Sequence, residues 1–222
     1  MTGQAKGTMI ELWGRANAYN VQKPLWLLAE LGLDFKHYDV GRNSGDLESA
    51  EFLALNPRAR VPVLRLGDAV VWESNSILRY LANQLEATGL YPTDPLQRSR
   101  VERWMDWELA SLQPAFIDLF WGYYRTPPAL RQQSFIGAAQ QQCRVQFDLL
   151  DGHLATRPYL AGEAFSLADI ACGVCLFRYF NMGLQVEQPP QVMRWYRQLS
   201  QRDSFRHTIM QPFGELEGRS NF

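Results

Sequence analysis

The chain has 222 residues, of which 46% are hydrophobic, so it can bury a sizeable core and is neither a disordered protein nor a disulfide-dependent miniature. Its 22 basic and 23 acidic residues give a net charge of -1, which excludes the electrostatic footprint of a nucleic-acid-binding or membrane-surface protein. Three cysteines do not make a disulfide framework, no apolar run reaches the roughly 18 residues of a membrane span, and the first eight residues lack the apolar segment of a signal peptide. We therefore predict a cytoplasmic protein with small ligands and with no nucleic-acid or membrane partner.

The first part of the chain alternates strand-like and helical patterns. The predicted elements are, in chain order, a strand over 9–14, a helix over 21–31, a strand over 35–40, a polar loop over 41–49, a helical turn over 50–54, a hairpin of 61–66 and 69–72, and a helix over 74–86. Gly67-Asp68 has the composition of a tight hairpin turn, and Pro24 is tolerated only if it lies in the first turn of its helix. This order predicts an α/β unit with a parallel beginning and an antiparallel hairpin.

Residues 87–95, with a glycine and two prolines, form a predicted linker, and every pattern after them is helical. The predicted helices are one over 96–122 with a kink or break at Pro114, one of about 25 residues with an apolar stripe from Ile136 to Leu154, one that opens at Ser166, and one after Pro189-Pro190. We therefore predict two domains, an α/β domain over 9–86 and an all-α domain over 92–222.

The stretch NPRARVPVL, residues 56–64, brings a proline into a hairpin strand. Pro62 cannot donate to the strand ladder, and it holds Val61 in an extended conformation. If the bond between them is cis, Val61 can turn its N–H and C=O outward, where an extended peptide-like ligand would bind by strand addition. The alternative is an ordinary proline at a strand edge.

A second pattern, Trp72-Glu73-Ser74, stands at the junction of a strand and a helix. A helix N-terminus with the Ser74 hydroxyl suits a carboxylate, and the charge of Glu73 suits an ammonium group. Together they match the head group of an α-amino acid. The alternative is that Ser74 simply caps the helix.

The loop RANAYN, residues 15–20, joins the first strand to the first helix. In a βαβ fold this helix N-terminus points to the same rim as the other two patterns, and its dipole with a nearby donor would lower the pKa of a bound thiol. The alternative is a plain connecting loop with Asn20 as the helix N-cap.

The three patterns together resemble the cytosolic glutathione S-transferases, in the pattern of bacterial, theta-like members, over nearly the whole chain. The motifs that carry the resemblance are Gly14-Arg15, Asn20-Val21-Gln22-Lys23, WLLAELGL at 26–33, N-P-x-x-x-V-P-V-L at 56–64, W-E-S-x-x-I-x-x-Y-L at 72–81, Tyr91-Pro92, and S-L-A-D-I-A at 166–171. The resemblance implies a thioredoxin-like N-terminal domain, an all-helical C-terminal domain, a homodimer, and glutathione as co-substrate.

The resemblance also implies roles for the residues of these motifs. Val61, beside a cis Pro62, would bond the cysteinyl backbone of glutathione, and Glu73 with Ser74 would hold its γ-glutamyl head. Arg60 would reach the glycyl carboxylate.

One position departs from the pattern of the family: Ala18 stands where a serine is expected to steady the thiolate. The nearest remaining donors are Asn20 and Tyr19, with backbone N–H groups at the helix start, and Arg15 would contribute charge. We rank Asn20 first because it lies where the helix begins.

The aromatic segment FIDLFWGYYR, residues 116–125, cannot turn all of its rings toward one core. The resemblance implies that some of them line a cleft for a hydrophobic co-substrate, Trp121 among them, and Trp107 on the preceding helix would face the same cleft. The alternative is a dimer interface or plain core.

Other chemistry-bearing patterns have structural explanations. Cys172 and Cys175 fit C-x-x-C but lie in an apolar helical run, which favours buried packing. The histidines and cysteines have no metal-ligand spacing, so no metal site is predicted. Ser166 and Asp169 form a predicted capping box.

We therefore predict a glutathione transferase that joins the glutathione thiol to small hydrophobic electrophiles. Two alternatives stay open: a glutathione-dependent disulfide or peroxide reductase, and a non-catalytic glutathione-binding adaptor, which Ala18 keeps in consideration.

Overall fold

The computed structural model of the protein describes residues 9–41 and 46–219. The polar tail over 1–8, the centre of the predicted loop over 41–49, and the last three residues of the predicted second domain lie outside the described residues.

The N-terminal part is a four-stranded sheet with helices, as predicted. Its elements are β1 (Ile10–Trp13), α1 (Tyr19–Glu30), β2 (Phe35–Tyr38), a 3-10 turn (Asp46–Glu48), α2 (Ala50–Leu55), β3 (Val63–Leu66), β4 (Ala69–Trp72) and α3 (Ser74–Gln84). The strand order is β2-β1-β3-β4, with β2 parallel to β1, and β3 antiparallel to both β1 and β4. This mixed sheet confirms the thioredoxin-like class.

The C-terminal part is helical, which confirms the second half of the predicted fold class. Its elements are α4 (Pro95–Trp107), α5 (Gln113–Leu119), α6 (Gln133–Leu154), α7 (Leu167–Gly173), α8 (Leu176–Asn181), α9 (Pro190–Ser200) and α10 (Asp203–Thr208), with π-helical turns at Glu108–Leu112 and Phe120–Arg125 and 3-10 turns at Pro128–Leu130 and Gly214–Leu216. The boundary that we place between two domains, from residue 86 to residue 92, stays a prediction.

The first helix differs from its prediction. It begins at Tyr19 with Ala18 as the N-cap, so Asn20 is its second residue and Pro24 lies in its second turn. Because Pro24 has no N–H, it cannot donate to the carbonyl oxygen of Asn20 four residues earlier. The start of α1 is therefore set by the turn after β1 rather than by Asn20 as a capping side chain.

The long helix before residue 126 continues past Pro114 instead of breaking there. A proline ring clashes with the carbonyl group four residues earlier in regular α-helix, and the π-helical turn Glu108–Leu112 ends just before Pro114. The wider turn takes up the clash, so α4 and α5 form one helical rod with two π-helical turns on it.

The predicted third helix is divided. Residues 174 and 175 separate α7 from α8, and both Cys172 and Cys175 are buried and unpaired, as their apolar setting predicts. Burial raises the pKa of both thiols well above the ordinary value. The capping box of Ser166 and Asp169 is present, and no group in the described ranges is arranged to hold a metal ion.

The two halves share one apolar core. The ring of Trp26 on α1 packs edge-on against Phe205, with ring centroids 4.8 Å apart, and against Phe165 at 5.7 Å. A Cβ on Gly173 of α7 would stand 2.8 Å from Leu199 and 3.3 Å from Trp26, so the small residue lets α7 approach both. Among the described helices none is long and apolar enough to cross a membrane.

Candidate active site

Three segments of the N-terminal part meet at Gly14, where β1 ends. Its φ of 136° is open only to glycine, and a Cβ there would stand 2.4 Å from Val21 and 2.9 Å from Val61. The glycine therefore allows the start of α1 and the segment before β3 to approach each other at the same edge of the sheet.

The N-termini of α1 and α3 converge beside this junction. Asn20 is the second residue of α1, Ser74 is the first residue of α3, and the Ser74 hydroxyl donates to Oδ1 of Asn20 at 3.4 Å. The N–H groups of a helix's first turn have no partner inside the helix and carry partial positive charge. Two such ends at one place form a site suited to anions.

Glu73 occupies the N-cap position of α3 with φ at 70°, a backbone conformation that costs a non-glycine residue energy. Its carboxylate is exposed and lies 4.0 Å from Nη1 of Arg58. A strained residue at a helix start is typical of a place where the side chain is aimed at a ligand, so Glu73 is available to an ammonium group.

The segment before β3 lies outside the strand ladder. The β1–β3 pairing begins with Trp13 opposite Val63, so Val61 precedes the ladder by two residues, and its bond to Pro62 is cis. Buried Asn56 holds the turn by donating from Nδ2 to the carbonyl oxygen of Arg60 at 2.8 Å. The backbone of Val61 is thereby presented at the site's edge, beside the exposed side chain of Arg60.

A cavity of about 250 Å³ opens between this edge and the helical part. From the N-terminal part it is lined by Arg15, Asn17, Ala18, Tyr19, Asn20, Gly41, Leu47, Ala59, Arg60 and Val61. From the C-terminal part it is lined by Phe116, Ile117, Phe120, Trp121, Arg125, Arg178 and Leu216. The cavity is therefore bordered by the N-terminus of α1 and the backbone of Val61 on one side, and by an aromatic wall on the other.

The hydroxyl of Tyr19 is engaged on the side of α1 that faces the interior. It donates to Oε1 of Glu108 at 3.1 Å, and burial, with the nearby charge of Glu108, raises its pKa well above the usual value. Lys23 donates to both oxygens of Glu108 at 2.9 Å and to Gln113 at 3.1 Å. A hydroxyl held in this buried network is not directed at a ligand in the cavity.

Of the two tryptophans predicted at the cleft, the structure brings one to the cavity. Trp121 lines it, with the guanidinium carbon of Arg125 at 4.1 Å from its ring centroid. Trp107 is not among the lining residues, and its ring stands edge-on to Trp104 at 5.2 Å. The prediction that Trp107 faces the cleft therefore stays a prediction.

Arg125 and Arg178 are cavity residues that our sequence analysis missed. Burial lowers the pKa of each to about 10, and Arg15 and Arg125 contribute to the effect on Arg178. Nη2 of Arg178 donates to the carbonyl oxygen of Asn17 at 2.6 Å, which ties α8 to the loop before α1. The available signal was a single charge inside the apolar run ACGVCLFRYF, since a charge in such a run is buried for a reason.

Arg15, a predicted site residue, lines the cavity and is half-buried. Burial lowers its pKa, and the negative charges of Asp39 and Glu215 partly oppose this. Both acidic residues line a neighbouring cavity of about 490 Å³ that Arg15 also borders. Arg15 therefore stands between the two cavities, with its acidic partners on the far side.

Two family models match this chain. The model of the glutathione S-transferase N-terminal domain matches residues 20–84, and that of the glutathione S-transferase C-terminal domain matches residues 128–198. The N-terminal match contains Asn20, Val61 and Ser74, and the C-terminal match contains Arg178.

Similar proteins extend over nearly the whole chain. Glutathione S-transferase GstB of Escherichia coli (strain K12) is 41% identical over 206 residues, which are 92% of this chain and 99% of that protein. Glutathione S-transferase 3 of Zea mays is 29% identical over 208 residues, 90% of this chain and 93% of that protein.

Solved structures agree in fold. The theta class glutathione S-transferase of the citrus canker pathogen Xanthomonas axonopodis pv. citri, solved with glutathione bound, superposes with a TM-score of 0.88 and 38% identity over 93% of this chain and 99% of that one. Glutathione transferase F2 of Populus trichocarpa, at 24% identity and a TM-score of 0.82, shows the likeness of fold alone.

Proposed function

The chain belongs to the glutathione S-transferase family and is a glutathione transferase, and we propose that it joins the glutathione thiol to a small electrophile with an apolar body in the 250 Å³ cavity. The observation that carries this proposal is the meeting of the α1 and α3 N-termini at Asn20 and Ser74, where Asn20 lines a cavity with an aromatic far wall. A peptide thiol bound at this edge would face the electrophile across a short distance.

Glutathione is placed by the chemistry of its three parts. The α-carboxylate of its γ-glutamyl head suits the backbone N–H groups at the N-terminus of α3, where Ser74 is the first residue, and the ammonium group suits the exposed carboxylate of Glu73. The cysteinyl backbone would pair with Val61, which precedes the strand ladder, and the glycyl carboxylate would meet Arg60.

Asn20 is the residue that we assign to the sulfur. Its carboxamide carries two N–H donors besides the Oδ1 that Ser74 engages, and it lies in the first turn of α1, where backbone N–H groups add to the field. A thiolate accepts such donors better than a thiol, so this contact lowers the thiol pKa. Tyr19 is assigned no contact with sulfur, since its hydroxyl donates to Glu108.

The electrophile then reacts by proximity. With sulfur at Asn20, the space that remains is bounded by Phe116, Phe120 and Trp121, and the first two rings stack with centroids 5.5 Å apart. Holding a flat apolar body there converts a bimolecular attack into one between oriented partners, which can lower the barrier by several kcal/mol.

The test compares Asn20→Ala with Tyr19→Phe as the matched control. We expect Asn20→Ala to raise the pKa of bound glutathione by about one unit, which is worth ~1.4 kcal/mol, and to lower kcat/KM at neutral pH about tenfold. Tyr19→Phe should leave the thiol pKa unchanged. The thiolate absorption of the complex, titrated against pH, measures the thiol pKa, conjugation kinetics measure kcat/KM, and calorimetry checks that glutathione still binds.

Failure of the wild type to bind glutathione at millimolar concentration would overturn the proposal. A thiol pKa that moves with Tyr19→Phe and not with Asn20→Ala would reverse the assignment. Assays of thiol–disulfide exchange and peroxide reduction, run beside the conjugation assay, distinguish a transferase from a glutathione-dependent reductase. None of the three cysteines lines the cavity, so a reductase here would use the glutathione thiol alone.

We further propose that the protein acts in the cytoplasm as a homodimer. Support for the dimer comes from apolar side chains exposed on the edge strand β4, Val70 and Trp72, and on the long helical rod, Leu96 and Leu109. Light scattering should give twice the chain mass of 25.5 kDa, and a monomeric mass at micromolar concentration would contradict it. The cytoplasm is supported by three unpaired cysteines, and fractionation tests it.

A further inference from the structure

Arg58 forms an exposed ion pair with Glu73, the residue that the proposed function assigns to the ammonium group of glutathione. Nη1 of Arg58 lies 4.0 Å from Oε1 of Glu73, and the two side chains are 64% and 55% exposed. Water screens such a pair, so the pair contributes little to stability. A ligand can therefore replace either partner in this pair at little cost.

The turn that carries Arg58 is held by a buried side chain. Asn56, which is 2% exposed, accepts from the N–H of Arg58 at 3.0 Å and donates to the carbonyl oxygen of Arg60 at 2.8 Å. Ala59 between them has a φ of 50° and lines the same cavity as Arg60 and Val61. The backbone at Arg58 is therefore fixed next to the segment that we propose for the cysteinyl part of glutathione.

The carboxylate of the γ-glutamyl head needs more positive charge than α3 itself supplies. The Ser74 hydroxyl already donates to Oδ1 of Asn20 at 3.4 Å, so the donors that remain at the start of α3 are its backbone N–H groups. Together these amount to about half of a unit charge. A full positive charge beside Glu73 is supplied by Arg58.

The Arg58–Glu73 pair carries the same two charges as an α-amino acid, with opposite signs. An α-amino acid holds its ammonium group and its carboxylate on one carbon atom, so the partners of the two groups have to lie side by side. The 4.0 Å separation of the two side chains meets this requirement. The planar fork of a guanidinium also offers a carboxylate two parallel N–H donors.

We propose, on the basis of the glutathione binding proposed above, that Arg58 is a further substrate-binding residue, which donates to the α-carboxylate of the γ-glutamyl head while Glu73 accepts from its ammonium group. Each charge of the ligand then meets an opposite charge, and neither side chain loses its partner. The site thereby selects peptide thiols with a zwitterionic head over those that lack one of the two charges.

The experiment compares glutathione with two analogues by calorimetry at low salt. γ-Aminobutyryl-cysteinylglycine lacks the α-carboxylate, and glutaryl-cysteinylglycine lacks the ammonium group. We expect Arg58→Gln to raise Kd about fivefold for glutathione and for the glutaryl analogue, and less than about twofold for the γ-aminobutyryl analogue. Glu73→Gln should weaken glutathione and the γ-aminobutyryl analogue without weakening the glutaryl analogue.

Arg144→Gln is the matched control, because Arg144 is also an exposed arginine that pairs with an exposed carboxylate, that of Glu187 on the helical part at 3.1 Å. It should leave Kd unchanged for all three compounds. The effect of Arg58→Gln should shrink as sodium chloride is added, since salt screens exposed charges. Arg58→Lys, which keeps the charge but loses the planar fork, should lie between the wild type and Arg58→Gln.

Conjugation kinetics give a second readout. The head group takes no part in the reaction, so Arg58→Gln should raise KM for glutathione about fivefold and leave kcat at saturating glutathione within about twofold. A lower kcat with an unchanged KM would contradict a role in binding the head group.

Three results distinguish this inference from the proposed function. An unchanged Kd for glutathione in Arg58→Gln would overturn the inference alone, and a lower Kd would show instead that Arg58 competes with the ammonium group for Glu73. A loss that is equally large for the γ-aminobutyryl analogue would assign Arg58 to the glycyl carboxylate and overturn the inference as well. Failure of the wild type to bind glutathione at all would overturn the proposed function.

Discussion

Glu73 and Glu86 lie at opposite ends of α3 and both have a positive φ. Their φ angles are 70° and 51°, in the region that favours glycine, and both side chains are exposed. Holding a residue there costs of order 1–3 kcal/mol, which the surrounding structure must supply. At Glu73 the same conformation is expected to direct the carboxylate to the ammonium group of glutathione, whereas Glu86 lies at the far end of the helix.

Glycine substitutions at these two residues separate the effect of backbone strain on stability from the effect of the Glu73 carboxylate on glutathione binding. Glycine at either position relieves the strain but gains freedom in the unfolded chain, so we expect Glu73→Gly and Glu86→Gly to change the free energy of unfolding by less than ~1 kcal/mol, in the same direction. Only Glu73→Gly removes the carboxylate that is proposed to pair with the ammonium group of glutathione. The affinity of this variant for glutathione should therefore fall about tenfold. Urea unfolding and calorimetry measure the two effects. Equal glutathione affinity in both variants would remove Glu73 from the site.

At the scale of elements, the position of α1 depends on a buried ion pair. Lys23 of α1 and Glu108 of the first π-helical turn are both fully buried, with Nζ at 2.9 Å from the carboxylate. Tyr19 donates to the same carboxylate, and Asn75 of α3 donates to it at 3.4 Å. The pair is thus surrounded by hydrogen bonds that link α1 and α3 to the helical part.

Removing one partner of this buried ion pair should lower the free energy of unfolding far more than removing one partner of an exposed ion pair. We expect Glu108→Gln or Lys23→Met to reduce the free energy of unfolding by about 3–5 kcal/mol, because each leaves an uncompensated buried charge. The double variant should lose less than the sum of the two. Arg144→Met, which removes the exposed partner of Glu187, is the control and should cost less than ~1 kcal/mol. Additive losses in urea unfolding would show that the pair is not coupled.

At the scale of the whole molecule, one carboxylate joins several parts of the helical half. Asp169 accepts hydrogen bonds from the N–H of Leu160 at 3.0 Å, the N–H of Ser166 at 2.9 Å, and Nε1 of Trp195 at 3.0 Å. Complete burial outweighs these bonds and raises its pKa to about 6, from 3.8. The folded protein therefore binds this proton more tightly than the unfolded chain does.

Between about pH 4 and pH 6 the folded state holds the proton that the unfolded chain has released, so the contribution of Asp169 to stability falls as pH rises through this window, by up to ~3 kcal/mol. The free energy of unfolding of the wild type minus that of Asp169→Asn should decrease over this range and stay flat above it. A difference that rises with pH would contradict the raised pKa.

The pKa of Glu30 is shifted in the opposite direction to that of Asp169, so its contribution to stability should change with pH in the opposite sense. Burial raises its pKa, but hydrogen bonds from Arg202 and Ser204 outweigh that and lower it from 4.5. A lowered pKa gives stability that is present above pH ~4.5 and lost as pH falls. The free energy of unfolding of the wild type minus that of Glu30→Gln should therefore rise with pH. The two variants together test the sign at both carboxylates.

The sequence by itself determined the fold class, the four strands and most of the helices, though not all of their boundaries. Apolar periodicity, Gly67-Asp68 in the hairpin turn, and the capping box at Ser166 act over a few residues, so they hold whatever packs around them. The net charge of -1 likewise predicts small ligands rather than polyanion partners.

Only the tertiary structure decided where individual side chains point. Tyr19 and Asn20 are neighbours in the chain, yet one hydroxyl is buried against Glu108 and the other side chain meets Ser74 at the cavity. The ring of Trp107 packs edge-on against Trp104, and Arg178 reaches the cavity from about 160 residues along the chain, at the carbonyl of Asn17. Such destinations depend on helix rotation and on contacts between distant segments, and local pattern carries no information about either.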